Sequence, residues 1–84
     1  MLYYLIICRS LTYAQRTAYL LEKKGIAPQI LRSPKSIAAE GCGYAVKVSQ
    51  RNLLESLSVL RNADLSPKKV YVSLGEGEYR EVEF

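Results

Sequence analysis

The chain has 84 residues, of which 49% are hydrophobic, and a formal net charge of +4 at pH 7. This length predicts one domain with a single two-layer core that folds without disulfides. The chain has no histidine, which excludes His-based acid–base catalysis and His metal ligation, and its two cysteines cannot complete a tetrahedral zinc site. We therefore expect no bound cofactor or metal.

The first apolar run, Leu2–Cys8, is too short to span a bilayer, and Arg9 follows it at once. We expect neither a signal peptide nor a membrane partner. Two cysteines in such a chain predict the reducing cytoplasm, where thiols are reactive groups or core filler.

The charge is unevenly distributed along the chain. Residues 1–75 carry eleven of the twelve basic side chains and a net charge of +7, whereas residues 76–84 carry a net charge of −3. This pattern suits an anionic partner or a tail that folds back on the body, and a solvated surface is the plainer interpretation.

The first half of the chain predicts a strand, a helix and a second strand. Residues 2–8 are apolar at both odd and even positions, as in a central strand buried on both faces. Ser10 or Thr12 can cap the helix, and Lys23-Lys24-Gly25 favours its end. A short edge strand is predicted over residues 26–32, where Pro28 limits pairing. The helix stripe with 3.6-residue spacing consists of Ala14, Ala18 and Leu21, flanked by Leu11, Thr17 and Leu20.

The second half predicts a strand, a helix and one or two further strands. A third strand is expected over residues 43–48, and Ser49 is the candidate cap of a helix over residues 50–62. A fourth strand, Val70 to Leu74, ends at the hairpin-type turn Gly75-Glu76-Gly77. Residues 79–84 are either a fifth, edge strand or a loose tail. The second helix is expected to bury Leu53, Leu54, Leu57 and Leu60.

The element order β-α-β-β-α-β predicts an α+β, ferredoxin-like fold, with two helices on one face of a four-stranded antiparallel sheet and a possible extra C-terminal strand. We expect the domain to span residues 1–75 and residues 76–84 to form an acidic strand or tail. In this topology, Arg9, the loop 33–43 and the turn 63–68 share one edge of the sheet.

That loop contains a cysteine between two glycines, Gly41-Cys42-Gly43, after the turn signal Ser33-Pro34. Glycines permit unusual backbone dihedral angles, so an exposed thiol is one interpretation. A tight turn with a small buried cysteine is the other. The residues alone leave both open.

The predicted topology surrounds Cys42 with positive charge, which favours the nucleophilic thiolate. Ser10 begins the first helix at this edge, and Cys8 ends the first strand there. Cys8 is therefore either a resolving thiol within disulfide reach or a packed strand cysteine. Glu40 would either raise the pKa of Cys42 or accept its proton. The cations expected at this edge are Arg9, Arg32, Lys35, Lys68 and Lys69.

The stretch 33–46 resembles the signature loop of the Se/S carrier-like family, a group of short bacterial domains. The family pattern is a proline, an aliphatic residue, small residues, Cys-Gly and an apolar strand. The resemblance covers about residues 3–74, and the chain departs from it at Glu40-Gly41, where small hydroxyl residues are more usual. The matching positions are Pro34, Ile37, Ala38, Ala39, Cys42 and Gly43.

The resemblance implies a carrier rather than a stand-alone enzyme. Cys42 would hold a persulfide or selenium-bearing sulfur, received from a donor protein and passed to an acceptor protein. The candidate site is thus Cys42, supported by Cys8, Arg9, Ser10, Lys35, Gly41, Gly43 and Lys68.

Two alternatives involve no chemistry. RNA-recognition domains share this fold, and Gly41, Gly43 and Tyr44 match the signature of their third strand. The leading basic position and both stacking aromatics of that signature are missing, and strand parity directs Lys47 rather than Tyr44 to the open sheet face. Tyr71 and one side of the first strand could also leave that face apolar, which favours a homodimer or a partner domain, unless the C-terminal residues cover it.

Overall fold

The computed structural model describes residues 2–34, 43–65, 67, 69–75 and 77–83. They form two α-helices and a five-stranded antiparallel sheet. In chain order the elements are β1 (Tyr3–Cys8), α1 (Leu11–Lys23), β2 (Gln29–Arg32), β3 (Tyr44–Ser49), a 3₁₀ turn (Gln50–Asn52), α2 (Leu53–Asn62), β4 (Lys69–Gly75) and β5 (Glu78–Val82).

The α+β class, the two helices and the antiparallel sheet are confirmed. The predicted sheet of four strands is not what the structure contains, because β5 pairs with β4 and the strand order is β2-β3-β1-β4-β5. This order differs from the plain ferredoxin-like sheet by the added edge strand. The optional C-terminal strand is therefore present.

Helix α1 follows its sequence pattern closely. The Ser10 hydroxyl accepts a hydrogen bond from the Tyr13 amide at 3.3 Å and caps the first turn. At the other end, Gly25 has φ +81°, and the Ile26 amide donates to the Leu21 carbonyl at 3.1 Å. This is a Schellman closure, which turns Ile26 back into the core. Because Ile26 serves the helix end, β2 begins at Gln29 rather than at the predicted residue 26.

Helix α2 begins later than predicted, after the 3₁₀ turn. Ser49 was expected as its cap, but the Ser49 hydroxyl instead accepts a hydrogen bond from the Asn52 side-chain amide at 3.0 Å. Leu54 was expected in the core and is 81% exposed. Helical spacing places Leu54 on the same side as the exposed Ser58 and Arg61. Ser56 is buried instead of Leu54, and the Ser56 hydroxyl donates a hydrogen bond to the Asn52 carbonyl at 2.7 Å.

The main core lies between the helices and one face of the sheet. Strands β1, β3 and β4 contribute buried residues to it. In β1 these are Ile6 and Cys8, while Leu5 and Ile7 point to the other face. The buried members of the core are Ile6, Cys8, Ala14, Leu21, Ile26, Val46, Val48, Leu53, Leu57, Leu60 and Val70.

Candidate functional site

Four strand ends meet at one edge of the sheet. Cys8, at the end of β1, lies opposite Tyr44, at the start of β3, and Tyr44 also lies opposite Arg32, at the end of β2. Lys69, at the start of β4, lies opposite Ile7. The predicted meeting of these strand ends is thus confirmed, and we call it the cysteine edge because Cys8 lies on it and Cys42 directly precedes Gly43 in the chain.

Four of the predicted site residues, Lys35, Gly41, Cys42 and Lys68, lie outside the described residues, as does Glu40. The described ends of the Cys42 loop are joined by a hydrogen bond of 3.0 Å from the Ser33 amide to the Gly43 carbonyl. Gly43 does not adopt a positive φ, and a Cβ added there would meet nothing within 4 Å. Gly43 therefore needs no left-handed backbone, and the expectation for Gly41 and Cys42 stays a prediction because both lie outside the described residues.

Cys8 is buried, with 6% of its surface exposed, and it faces the helices. Its thiol lies 3.7 Å from the Ile6 carbonyl oxygen and 3.9 Å from Oγ1 of Thr17 on α1, within the range of sulfur hydrogen bonds. Thr17 is itself buried in the apolar stripe of α1. Thr17 was predicted only to flank that stripe, and the signal for its role was a hydroxyl side chain next to Ala14 and Ala18.

A cavity of about 130 Å³ adjoins Cys8. It lies between the end of β1, the first turns of α1 and the turn that follows α2, so it opens at the cysteine edge. The residues that line it include both polar and apolar types. The lining residues are Ile6, Ile7, Cys8, Arg9, Tyr13, Thr17, Asp64, Leu65 and Pro67.

Arg9 lines the cavity where it meets α1, and Ser10 follows Arg9 as the N-cap of that helix. Ser10 caps the helix, so the first amides of α1, with their partial positive charge, lie at the cysteine edge. The Arg9 side chain is exposed, and its guanidinium lies 4.9 Å from the ring centroid of Tyr13, in a cation–π contact. A similar contact of 5.6 Å holds the Arg32 guanidinium over Tyr44. Both cations are thereby kept at the edge of the sheet by aromatic neighbours.

Asp64, one of the residues that line the cavity, has a left-handed backbone conformation with φ +60°. It occupies the position that glycine usually takes at a helix end, and the Leu65 amide completes the closure by donating to the Leu60 carbonyl at 2.8 Å. Aspartate tolerates this conformation better than most residues. Sequence analysis treated Asp64 only as part of a turn and did not assign it to the site.

Three described cations, Arg9, Arg32 and Lys69, lie at the cysteine edge together with the positive end of α1. In the described part of the chain, no group of three or more Cys, Asp or Glu side chains is close enough to hold a metal ion. The reactivity of Cys42 stays a prediction.

The opposite face of the sheet forms a second, smaller cluster. Leu5, Ile7 and Ala45 are buried there, and Tyr3, Leu31, Tyr71 and Tyr79 pack against them. We call these seven residues the tyrosine face. Its core is thus covered by half-buried tyrosines, one of them from β5.

This cover bears on both alternative functions. Tyr44, Val46 and Val48 face the helices, as strand parity predicts, which leaves Ala45 and Lys47 on the other face of β3. The Lys47 ammonium lies 4.2 Å from the ring centroid of Tyr3. It therefore covers one face of a ring that could otherwise stack on a base. Within the described residues, no large hydrophobic side chain of the tyrosine face is exposed. The chain itself thus covers Leu5, Ile7 and Ala45, while the homodimer stays a prediction.

Hydrogen bonding links three side chains of this face. The side chains of Ser73 and Tyr79 are hydrogen-bonded to the hydroxyl of Tyr3, which lowers the pKa of Tyr3. The positive charge of Lys47 lowers it further. The hydrogen bond to Tyr3 also raises the pKa of Tyr79. The sequence predicted that the C-terminal residues could cover this face, and Tyr79 does so. The hydrogen bond between Tyr79 and Tyr3 was not predicted, because the two residues are distant in the chain.

Among the described residues, no helix has the length and apolar character that a membrane span requires.

Comparisons with other proteins identify the family of this chain. Comparison with curated proteins and with solved structures found no match. A family model described as "Putative Se/S carrier protein-like" matches residues 3–72, from β1 into β4, and this range includes Cys42. The family predicted from the loop is confirmed, and this chain belongs to the Se/S carrier protein-like family.

Proposed function

We propose that this protein carries sulfur or selenium on Cys42 between a donor protein and an acceptor protein. The observation that carries the proposal is the family match over residues 3–72. The described neighbours of the Cys42 loop add physical support, because Arg9, Arg32 and Lys69 lie at the edge where the loop begins and ends.

In the proposed cycle, the Cys42 thiolate attacks the outer sulfur of a donor persulfide. An S–S bond forms to Cys42, the S–S bond within the donor breaks, and the donor cysteine leaves as a thiolate. The acceptor takes the same atom from Cys42 by the reverse chemistry. No external oxidant or reductant is needed, and the selenium version exchanges the outer sulfur for selenium.

The supporting residues have separate roles in this proposal. Arg9 and the first turn of α1, capped by Ser10, stabilise the thiolate by their charge. Lys35 and Lys68 are the further cations predicted for this site, and Gly41 and Gly43 are the neighbours of the cysteine in the chain. The protein would act in the cytoplasm, where reduced thiols persist.

A nucleic-acid-binding or protein-interaction module without chemistry remains the second candidate. Its support is the basic body of the chain and the presence of Tyr3, Tyr71 and Tyr79 on one sheet face. The covering of Tyr3 by Lys47 and the absence of an aromatic at positions 45 and 47 favour the carrier.

The test is the pH dependence of Cys42 alkylation in the folded protein, measured by peptide mass spectrometry. The carrier proposal predicts an apparent pKa well below the free value of about 8.5. Arg9→Gln should raise that pKa. Arg51→Gln is the matched control, because Arg51 follows β3 at the opposite end of the sheet. Reaction of Cys42 only after unfolding would identify core filler and reject the carrier.

A further inference from the structure

A groove runs between α1 and α2 on the surface of the helices. It consists of two adjoining depressions, which share Leu20 of α1 and Ala63 at the end of α2. The upper depression, nearer the cysteine edge, is also lined by Arg16, Tyr19 and Leu65. We call the two depressions together the helix groove, because both helices supply its walls.

Positive charge exceeds negative charge along the helix groove. Arg16 is the charged residue that lines the upper depression, and Lys24 and Glu55 face the lower one. Lys23 adds a third cation, with its ammonium 5.2 Å from the ring centroid of Tyr19. Arg16, Tyr19 and Lys23 are all exposed and follow helical spacing, so they form one stripe on the solvent side of α1. An acidic partner is complementary to this stripe.

Two further carboxylates lie close to these cations. Glu22 is the acidic residue of α1, and Asp64 belongs to the turn after α2. Both are exposed, but neither lines the helix groove. The excess of cations along the groove therefore remains.

The floor of the helix groove is apolar. Leu20, Val59 and Leu65 are half-buried and pack against the main core. Tyr19 is 62% exposed beside them. Tyrosine and arginine are the side chains that often dominate the binding energy of protein interfaces. Nucleic acids bind cations through their phosphates and make no use of an aliphatic floor, whereas an amphipathic protein helix lays its apolar side chains into such a groove.

We propose that the helix groove binds an acidic amphipathic helix of a partner protein. The acidic residues of that helix lie at the Arg16 end, because Glu55 repels them beside Lys24. Arg16 follows the N-cap Ser10 by six residues, or about 9 Å along the axis, so the acidic end points to the cysteine edge. The identity of the partner as a donor to or acceptor from Cys42 rests on the proposed function, whereas the groove and its charge rest on the described helices.

The test selects a binding partner by its chemistry. A phage-displayed library of random peptides of about 16 residues, or about four helical turns, is selected on the full chain under reducing conditions. We expect the enriched peptides to contain more Asp and Glu than Lys and Arg, with apolar residues three or four positions apart. The Kd of the best peptide is then measured by fluorescence anisotropy, and added salt should weaken its binding because exposed charges are screened.

Substitutions in the full chain locate the bound peptide. Arg16→Glu replaces attraction by repulsion and should weaken binding by about threefold to tenfold. Tyr19→Ala removes an exposed aromatic contact and should weaken it by about fivefold or more. Arg51→Glu is the matched control, because Arg51 is an exposed arginine of the 3₁₀ turn and does not line the groove. Circular dichroism checks the folding of each variant.

Several results would overturn the inference. Enriched peptides without an excess of acidic residues, or the absence of any peptide that binds, would do so. An equal loss of binding in Arg16→Glu and Arg51→Glu would show attraction to the net charge of the chain rather than to the groove. If a labelled single-stranded RNA bound through Arg16 and no peptide did, the surface would belong to nucleic acid.

Loading of Cys42 by glutathione persulfide separates this inference from the proposed function, because such a small donor needs no docking groove. If the parent binds acidic peptides as expected but Cys42 gains no sulfur, the docking inference stands and the proposed function falls. If Cys42 loads equally in the parent and in Arg16→Glu, but peptide binding does not depend on Arg16, the docking inference falls and the proposed function stands.

Discussion

Gly25 and Gly43 provide a matched pair of alanine substitutions. At both positions an added Cβ meets nothing within 4 Å, so neither substitution creates a steric clash. The two differ in backbone conformation, because Gly25 has φ +81° and Gly43 does not adopt a positive φ. Comparing the two substitutions therefore isolates the free-energy cost of placing alanine in the left-handed region, because that cost applies at Gly25 and not at Gly43.

The two substitutions should change the free energy of unfolding in opposite directions. Gly25→Ala forces a side chain into the left-handed region, at a cost of about 1–2 kcal/mol. Alanine also restricts the unfolded chain, which stabilises the folded state by about 0.4–1 kcal/mol where the native dihedral angles suit it. We expect Gly25→Ala to lose about 1 kcal/mol in the free energy of unfolding and Gly43→Ala to gain up to that amount. For a domain of this size, a change of about 1 kcal/mol shifts Tm by roughly 4–8 °C.

The assay is urea denaturation followed by far-UV circular dichroism, with the slope m compared among the three proteins. Equal slopes would allow the midpoints to be read as differences in stability. If Gly43→Ala were destabilised as much as Gly25→Ala, the backbone assigned to Gly43 would be wrong. The unusual dihedral angles predicted for the Gly-Cys-Gly turn would then extend to this residue.

Three further predictions concern the helices and the tyrosine face. Leu60→Ala should lower the free energy of unfolding by about 2–5 kcal/mol, because Leu60 is fully buried. Leu54→Ala should change it by less than about 0.5 kcal/mol, because Leu54 is exposed. Urea denaturation measures both changes. Tyr79→Phe removes a donor to the Tyr3 hydroxyl and should raise the pKa of Tyr3 towards its ordinary value near 10, which ultraviolet titration of the phenols detects. Deletion of residues 76–84 removes Tyr79 from the tyrosine face and should lower solubility, measured by the concentration at which the protein precipitates.

Each of these has a result that would count against it. A large loss in Leu54→Ala would restore the sequence-based assignment of this leucine to the core. An unchanged Tyr3 titration in Tyr79→Phe would show that the two phenols do not interact in solution. A truncated chain that remains soluble and becomes dimeric would indicate that a second copy replaces the C-terminal strand.

The alkaline pH dependence of stability follows from the same two phenols. The lowered pKa of Tyr3 contributes stability that is present above its unfolded pKa and lost as the pH falls through the folded value. The raised pKa of Tyr79 contributes stability that is present below its unfolded pKa and lost as the pH rises through the folded value. The two contributions therefore act in opposite directions near pH 10.

Local patterns in the sequence were sufficient for most of the elements. The Ser10 cap, the Ala14–Leu21 stripe and the Lys-Gly ending specify α1, because caps and helical spacing act within a few residues. The family could likewise be recognised from the loop around Cys42, since its pattern is contiguous. Leu54 was misassigned because hydrophobicity alone does not tell which side of a helix its neighbours cover.

The tertiary structure decided what depends on distant residues. The sequence left open which side of β1 faces the helices, and pairing with β3 and β4 places Tyr3, Leu5 and Ile7 on the other side. The sequence offered the C-terminal residues as one possible cover of that side, and the pairing of β5 with β4 brings Tyr79 onto it.

The Cys8 cavity is the clearest example of this limit. A void exists only where separate elements fail to fill the space between them, and here the walls come from β1, α1 and the turn after α2. The sequence by itself thus determined the elements, the family and the candidate cysteines. Packing alone decided that one of those cysteines adjoins an unfilled space, because that depends on how side chains far apart in the chain meet.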